Sequence, residues 1–197
     1  MELTGFLSGA KEFISSILAV LIFLSSSFGI VNPPVEPFVP ENIVEEVDNS
    51  PKMTLIDTGA SAYVIVKGAA ASPSENTAAL KLRAYLQQIS GVELPIVTDA
   101  APAAEKEIIV GRTNREGAGY TVDRAALGDE GFIIKTVGAK LVIAGGEKRG
   151  TLYGVFDFLE KFLDCAWLSA DTTIVPEKAT VCIPAAIDEY ETPAFMF

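Results

Sequence analysis

The residues best suited by type and position to do chemistry are the tripeptide Asp57-Thr58-Gly59, which follows a short apolar run. An aspartate presented on a tight turn can share a proton with a second carboxylate, and such a pair acts as general acid and base. The same residues also suit a hairpin turn, in which Thr58 and Gly59 form the bend and Asp57 flanks it. The tripeptide therefore predicts either a carboxylate site or an ordinary turn.

Residues 55–61, Leu-Ile-Asp-Thr-Gly-Ala-Ser, resemble the catalytic loop of retropepsin-like aspartic proteases. That resemblance implies a second Asp57 contributed by a partner chain, because the sequence holds no further Asp-Thr-Gly or Asp-Ser-Gly. A capped helix is predicted after the tripeptide, whereas that protease family is almost entirely strand. We therefore keep the protease with catalytic Asp57 as an alternative and expect Asp57 to be a turn residue.

A second candidate is the glycine turn at residues 145–150, Gly-Gly-Glu-Lys-Arg-Gly, between a predicted strand and a predicted helix. Free backbone amides at such a turn can cradle an anion. The spacing matches neither a P-loop nor a dinucleotide-binding fingerprint, and Glu147 would oppose a phosphate. We expect these glycines to allow close packing of the helix on the strand.

Composition excludes several kinds of site. The 197 residues include no histidine, which removes Ser-His and Cys-His catalytic pairs and the usual transition-metal ligands. The formal net charge of −11 argues against a nucleic-acid partner. We expect no metal and no cofactor. Cys165 and Cys182 could form a disulfide, as export would permit, or could be two small buried side chains.

The first 52 residues precede the predicted folded domain. Residues 13–24 are apolar, follow Lys11 and precede small residues, a pattern typical of a signal peptide over residues 1–29. A retained membrane anchor and a buried helix are the alternatives. Residues 30–52 carry repeated prolines and acidic residues and are predicted to be a linker. We expect a secreted protein that meets a membrane only through its N-terminal segment.

The elements that position the candidate residues follow from periodicity and capping signals. Residues 53–57 and 60–66 are predicted to pair as strands around the turn. A capping-box helix is predicted from Ser72 to about Ser90. Further strands are predicted at residues 94–97, 107–111, 131–137 and 140–145, with edge strands near 173–175 and 180–183.

A second long helix is predicted after the glycine turn. Its apolar stripe consists of Leu152, Phe156, Leu159 and Leu163, widened by further apolar residues. This is more apolar surface than a helix with one solvent-facing side usually carries, so we expect it to be covered on most sides. Residues 112–129 are predicted to be mostly loop, with a short helical turn near 123–127.

Together these segments resemble the N-terminal accessory domain of secreted glycoside hydrolases of the α-glucuronidase and β-hexosaminidase type. The resemblance covers about residues 53–184 and lies in residues 63–66, 78–96, 108–113, 129–132 and 149–160. It implies an α/β fold of two layers, in which two main helices pack on one face of a mixed β-sheet.

The resemblance also implies how the protein works. The domain, residues 53–187, would be non-catalytic and would precede a catalytic (β/α)₈ barrel starting within residues 188–197, near Phe195. Paired carboxylates of that barrel would cleave the glycosidic bond, so no catalytic residue is assigned here. The implied partners are this barrel and the carbohydrate substrate of the parent enzyme.

The same resemblance implies a structural motif within the domain, in which Arg149 fixes the turn and the ring of Tyr153 is buried. The motif residues are Arg149, Gly150, Tyr153, Gly154 and Trp167. A free-standing secreted glycan-binding module remains a further alternative for the function.

Overall fold

Ten strands and three helices form in the part of the chain that the computed structural model describes, residues 50–169 and 172–192. The predicted signal peptide, most of the linker and residues 193–197 lie outside these residues. The helices are α1 (Pro73–Ser90), α2 (Arg124–Leu127) and α3 (Gly150–Leu163). The strands are β1 (Lys52–Ile56), β2 (Val64–Lys67), β3 (Ile96–Thr98), β4 (Glu107–Val110), β5 (Phe132–Val137), β6 (Lys140–Gly145), β7 (Ala166–Ser169), β8 (Thr172–Ile174), β9 (Val181–Pro184) and β10 (Asp188–Glu191).

A six-stranded mixed sheet in the order β10-β5-β6-β4-β2-β3 forms the centre of the fold. β3, β2, β4 and β6 run parallel, whereas β5 and β10 are antiparallel to their neighbours. All four residues of β4 are buried, because this strand is covered on both faces of the sheet. Two smaller sheets pair β1 with β9 and β7 with β8.

The two long helices pack on the same face of the central sheet. The main core joins Leu82 and Leu86 of α1 and Phe158 of α3 to sheet residues such as Ile108 and Ile143. The predicted α/β architecture, with two main helices on one face of a mixed sheet, is confirmed.

The opposite face of the sheet is covered by the segment between β4 and β5. Tyr120 and Leu127 of this segment pack against Ile109, Val142 and neighbouring apolar residues of the sheet. The segment predicted as a loop with a short helical turn therefore forms a second hydrophobic core with this face of the sheet. The helical turn is α2.

The start of α1 has the predicted capping box. The Ser72 hydroxyl accepts a hydrogen bond from the Glu75 N–H, and the Glu75 carboxylate accepts one from the Ser72 N–H. Gly91 ends the helix in the left-handed conformation, with φ of 75°. Local sequence signals are sufficient to place both ends of this helix.

The predicted strand pair at residues 53–57 and 60–66 is wrong. β1 pairs with β9, whereas β2 lies inside the central sheet between β3 and β4. Ile65 and Val66 are both fully buried, so β2 needs cover on both faces, which a two-stranded hairpin does not provide. The predicted end of the linker, residue 52, is also one residue too late, since Lys52 already belongs to β1.

The buried face of α3 differs from the predicted stripe. Leu159 and Leu163 are buried, but Leu152 and Phe156 are only half-buried, and Val155 and Phe158 take their places in the core. A side-chain Cβ at Gly154 would lie 3.1 Å from atoms of Ile143 and Phe132. The side of the helix that carries Gly154 therefore approaches the sheet most closely. A prediction from the spacing of large apolar residues does not reveal this contact, because glycine has no side chain.

The C-terminal strands also differ from expectation. The predicted edge strands near 173–175 and 180–183 are β8 and β9, and each lies in a separate two-stranded sheet. The domain does not end at Ile187, because Asp188–Glu191 pairs with β5 as the edge strand of the central sheet. Residues 188–191 therefore belong to this domain and not to a following one.

Candidate functional site

Asp57 stands at a tight turn between β1 and β2. Its N–H and C=O exchange hydrogen bonds with those of Ala60, at 2.8 and 2.9 Å. Thr58 and Gly59 both have positive φ, 43° and 84°, the geometry of a two-residue turn. The Asp57 carboxylate accepts a 2.8 Å hydrogen bond from the neutral hydroxyl of Thr58. These contacts make Asp57 a turn residue, and the aspartic protease alternative is not favoured.

The glycine turn before α3 is a packing device. A Cβ on Gly145 would lie 2.0 Å from the Thr151 nitrogen, and one on Gly150 would lie 2.0 Å from the Gly131 oxygen. Only glycine allows the backbone segments to approach so closely. The prediction that these glycines permit close packing is confirmed.

The backbone amides of this turn are engaged with carbonyl groups of the loop before β5. The N–H groups of Gly146 and Glu147 donate to the oxygens of Gly131 and Gly128, at 2.8 and 3.0 Å. Those of Lys148 and Arg149 both donate to the Asp129 oxygen. An anion cradle needs free amides, so this turn does not act as one.

The family-motif residues lie within α3 or close to its two ends. Arg149 precedes the helix, and a hydrogen bond with Tyr153 raises the pKa of the Arg149 guanidinium. The expectation of a buried Tyr153 ring is wrong, because 37% of this residue is exposed. Three residues after Tyr153, the ring of Phe156 packs against Trp167, whose ring centroid lies 5.0 Å away. The Trp167 indole N–H donates a 3.0 Å hydrogen bond to the Tyr85 hydroxyl.

A buried ion-pair cluster at the start of β4 was not predicted. The fully buried Glu107 carboxylate accepts hydrogen bonds from Arg115, at 3.2 Å, and from Lys140, at 2.6 Å. Burial by itself raises the pKa of this carboxyl, but Lys140, the Ala104 N–H and Arg115 outweigh it and hold the pKa below its usual range. The only signal of this cluster in the sequence is Glu107 itself, a charged residue at the start of an otherwise apolar strand.

This cluster fastens the loop that covers the second face of the sheet. Arg115 also donates to the carbonyl oxygens of Asp99 and Ala101 and to the Asn114 side chain. Each of its nitrogens is thus held by a protein acceptor. The cluster is a structural clamp, since the glutamate has its cations on both oxygens and is closed to solvent.

A cavity of about 410 Å³ lies at the carboxyl ends of β2, β4 and β6, where open α/β sheets commonly bind ligands. Its charged side chains are engaged with the protein itself. Glu75 accepts from the backbone N–H of Arg112, and the Arg112 guanidinium contacts Glu147 at 2.8 Å. Asp99 accepts from the N–H groups of Asn114 and Ala69, which lower the pKa of its carboxyl. These bonds join the strand-end loops to one another.

Neither cysteine is paired. Cys165 is buried, whereas Cys182 is exposed, so the expectation of two buried side chains holds only for the first. Throughout residues 50–169 and 172–192, no group of His, Cys, Asp and Glu side chains is arranged to hold a metal ion. In the same part of the chain, every helix is too short or too polar to cross a membrane.

Residues 47–158 match the protein family described as Glycosyl hydrolase family 67 N-terminus. Solved structures with similarity to the chain include a family GH115 4-O-methyl-α-glucuronidase, BtGH115A, with specificity for decorated arabinogalactans. That structure has a TM-score of 0.49 and 19% identity, over 72% of this chain and 18% of the other. A mutant Streptomyces plicatus β-hexosaminidase in complex with product (GlcNAc) has a TM-score of 0.45 and 14% identity, over 74% and 24%.

The chain thus spans less than a quarter of the length of these two enzymes. No curated protein matches the chain.

Proposed function

Since the chain belongs to the glycosyl hydrolase family 67 N-terminus family, we propose that it is the non-catalytic accessory domain of a secreted glycoside hydrolase. In this proposal the parent enzyme acts on a polysaccharide or glycan, and the domain packs against its catalytic barrel and supports it. The family match carries the proposal, because residues 47–158 span the fold from before β1 to well inside α3.

A non-catalytic role is supported by the way the domain uses its carboxylates. Glycoside hydrolysis needs two carboxyl groups that flank the scissile bond and exchange protons with it or attack it. Here Glu75 and Asp99 accept backbone N–H groups, and Glu107 is enclosed between two cations. Asp57 belongs to a turn. The engagement of these groups with the fold supports assigning the chemistry to the barrel.

Two experiments test whether a catalytic barrel follows this domain and whether the domain itself is non-catalytic. The first reads the coding sequence beyond Phe197 and is expected to find a (β/α)₈ barrel with paired acidic residues. A stop codon there, in a correctly assembled genome, would remove the proposed partner.

The second experiment assays the purified 197-residue chain on aryl glucuronides and aryl N-acetylglucosaminides. We expect no turnover, and turnover that survives repurification would refute the non-catalytic role.

Export is proposed from the pattern in residues 1–29, which lie outside the described part of the chain. N-terminal sequencing of the protein recovered from culture medium is expected to place the mature start close to residue 27 or 29. Recovery of the intact N-terminus from a washed membrane fraction would instead support a retained anchor. Recovery of the intact N-terminus from the cytoplasm would refute export.

A further inference from the structure

A crevice opens in the central sheet between the carboxyl ends of β2 and β4. After β2 the chain turns to the helix face and enters α1, whereas after β4 it crosses to the opposite face, where Tyr120 and Leu127 pack on the sheet. Loops that leave neighbouring parallel strands toward opposite faces move apart, and open α/β sheets bind ligands in the gap between such loops. The fold therefore places the cavity of about 410 Å³ where a ligand is expected.

Three loops at the ends of parallel strands form this cavity, which we name the β2–β4 crevice. Its walls include residues 68–70 after β2, residues 112–113 after β4 and residues 146–148 after β6. The volume lies within the range of about 300–1,000 Å³ that is usual for small-molecule sites. The crevice is therefore large enough for a small polar ligand.

Two carboxylates of the crevice are held in place by backbone groups. Glu75 accepts the N–H groups of Ser72 and Arg112 through separate oxygens, both at 2.7 Å. Asp99 likewise accepts two backbone N–H groups, one at each oxygen, both at 2.8 Å. A carboxylate has about four lone-pair sites, so each of these groups can accept further hydrogen bonds. Because both residues are partly exposed, a ligand in the crevice can reach them.

The same crevice carries two cationic side chains whose present partners bind them weakly. Arg112 contacts Glu147 at 2.8 Å, and Lys148 contacts Asp129 at 2.6 Å. More than half of every one of these four side chains is exposed. Exposed ion pairs add little stability, because water solvates both charges well. Arg112 and Lys148 can therefore turn N–H donors toward a bound molecule.

We propose that the β2–β4 crevice binds a neutral sugar residue. Each hydroxyl group of a sugar donates one hydrogen bond and accepts others, so a sugar needs acceptors and donors side by side. The fixed carboxylates of Glu75 and Asp99 accept from the hydroxyl groups, and the mobile side chains of Arg112 and Lys148 donate to the hydroxyl oxygens. An anionic ligand suits the crevice less well, because these carboxylates would repel it.

This inference goes beyond the proposed function, since it gives the domain a ligand of its own. Among the described residues that form the walls of the crevice, none is aromatic. Binding then depends on hydrogen bonds that replace those to water, and each of these contributes little net free energy. We therefore expect a dissociation constant of about 1–10 mM for a single sugar unit.

The test is a titration of the 197-residue chain with methyl glycosides, followed by proton–nitrogen correlation NMR. The probes are the neutral methyl glycosides of glucose, galactose, mannose and xylose, and glucuronic acid is the charged comparison. We expect at least one neutral probe to shift the amide signals of residues 68–70, 112–113 and 146–148 and to saturate them. Glucuronic acid is expected to bind about fivefold more weakly than that probe, through repulsion by the carboxylates.

Three variants connect the binding to the crevice. Ala70→Phe fills the crevice from an exposed wall position without removing a polar group, and it is expected to abolish the shifts. Ala60→Phe is the matched control, because Ala60 is an exposed alanine of a turn outside the crevice, and it should leave binding unchanged. Arg112→Met removes the side-chain donor but keeps the backbone N–H that Glu75 accepts, and it should weaken binding about fivefold. Circular dichroism checks that each variant folds.

The outcomes separate this inference from the proposed function. The absence of saturable shifts with every neutral probe at about 50 mM would overturn the inference, as would equal binding by the wild type and the Ala70→Phe variant. Tighter binding of glucuronic acid than of every neutral probe would assign the crevice to anions and overturn it as well. The supporting role is tested separately, since it fails if deletion of residues 50–192 changes neither the melting temperature nor the activity of the barrel.

Discussion

Replacement of Glu107 with glutamine is expected to destabilise the domain strongly, because it removes the only carboxylate in the buried cluster with Arg115 and Lys140. The substitution preserves the size and shape of the side chain. It therefore tests charge and hydrogen bonding without creating a cavity. One oxygen can still accept from the Ala104 N–H, now 2.9 Å away, but an amide NH₂ group would face a cation.

The magnitude follows from what each cation can do after the change. Removing one partner of a buried ion pair typically costs about 3–5 kcal/mol. Lys140 is partly exposed and can turn toward water, and Arg115 keeps the carbonyl oxygens of Asp99 and Ala101. We therefore expect a loss near the lower end, about 3 kcal/mol in the free energy of unfolding. For a domain of this size that loss corresponds to a fall of about 10 °C in melting temperature.

The pH dependence gives an independent signature of the same interaction. The pKa of Glu107 is lower in the folded protein than in the unfolded chain, so the unfolded state binds the proton more tightly. The stabilisation is therefore fully present above the unfolded pKa, about 4.3, and is lost as the pH falls through the folded pKa. The difference between wild type and E107Q should be largest at neutral pH and should shrink in acid.

Urea unfolding of the 197-residue chain, followed by circular dichroism at several pH values, measures both effects. The matched control is Lys140→Met, which removes the partly exposed cation and leaves the Glu107–Arg115 pair, with an expected loss of about 1 kcal/mol. If E107Q lowers the free energy of unfolding by no more than K140M does, Glu107 does not act as a buried clamp between the two cations. A wild-type to E107Q difference that stays constant from neutral pH to pH 3 would equally contradict this role.

Three further predictions concern backbone packing, capping and thiol exposure. Gly150→Ala should lower the free energy of unfolding by about 3 kcal/mol in urea titrations, because the new Cβ would meet the Gly131 oxygen at 2.0 Å; a neutral effect would contradict the close approach. Ser72→Ala should cost about 1 kcal/mol through loss of the α1 cap, and an unchanged urea midpoint would count against that cap. Ellman's reagent should modify Cys182 in the native chain but Cys165 only after unfolding, since burial raises the pKa of the Cys165 thiol; equal native rates would contradict the burial.

Some of the fold was predictable because its signals are local. The helix α1 could be bounded from Ser72, Glu75 and Gly91, since capping depends on residues within one turn of each end. The hairpin of β5 and β6 was equally accessible, because its register is set by the short connection at Gly138.

The pairing of β1 was not predictable from the sequence, because the competing partners are distant in the chain. Its register with β9 joins Met53 to Ile183 across most of the domain. The local turn at Thr58-Gly59 suggests a hairpin. However, both faces of β2 carry apolar side chains that have to be buried, so this strand lies inside the central sheet. Long-range burial therefore overrides a correct local turn.

The sequence by itself determined the order of elements, the family of the domain and the absence of histidine chemistry, because these depend on residue types and on patterns along the chain. Only the tertiary structure decided that Asp57 and the turn amides are bound to their neighbours, that Glu107 is clamped between two cations, and that Tyr153 is exposed on the outside of α3. These outcomes depend on which groups meet across the fold, and packing in three dimensions determines those contacts.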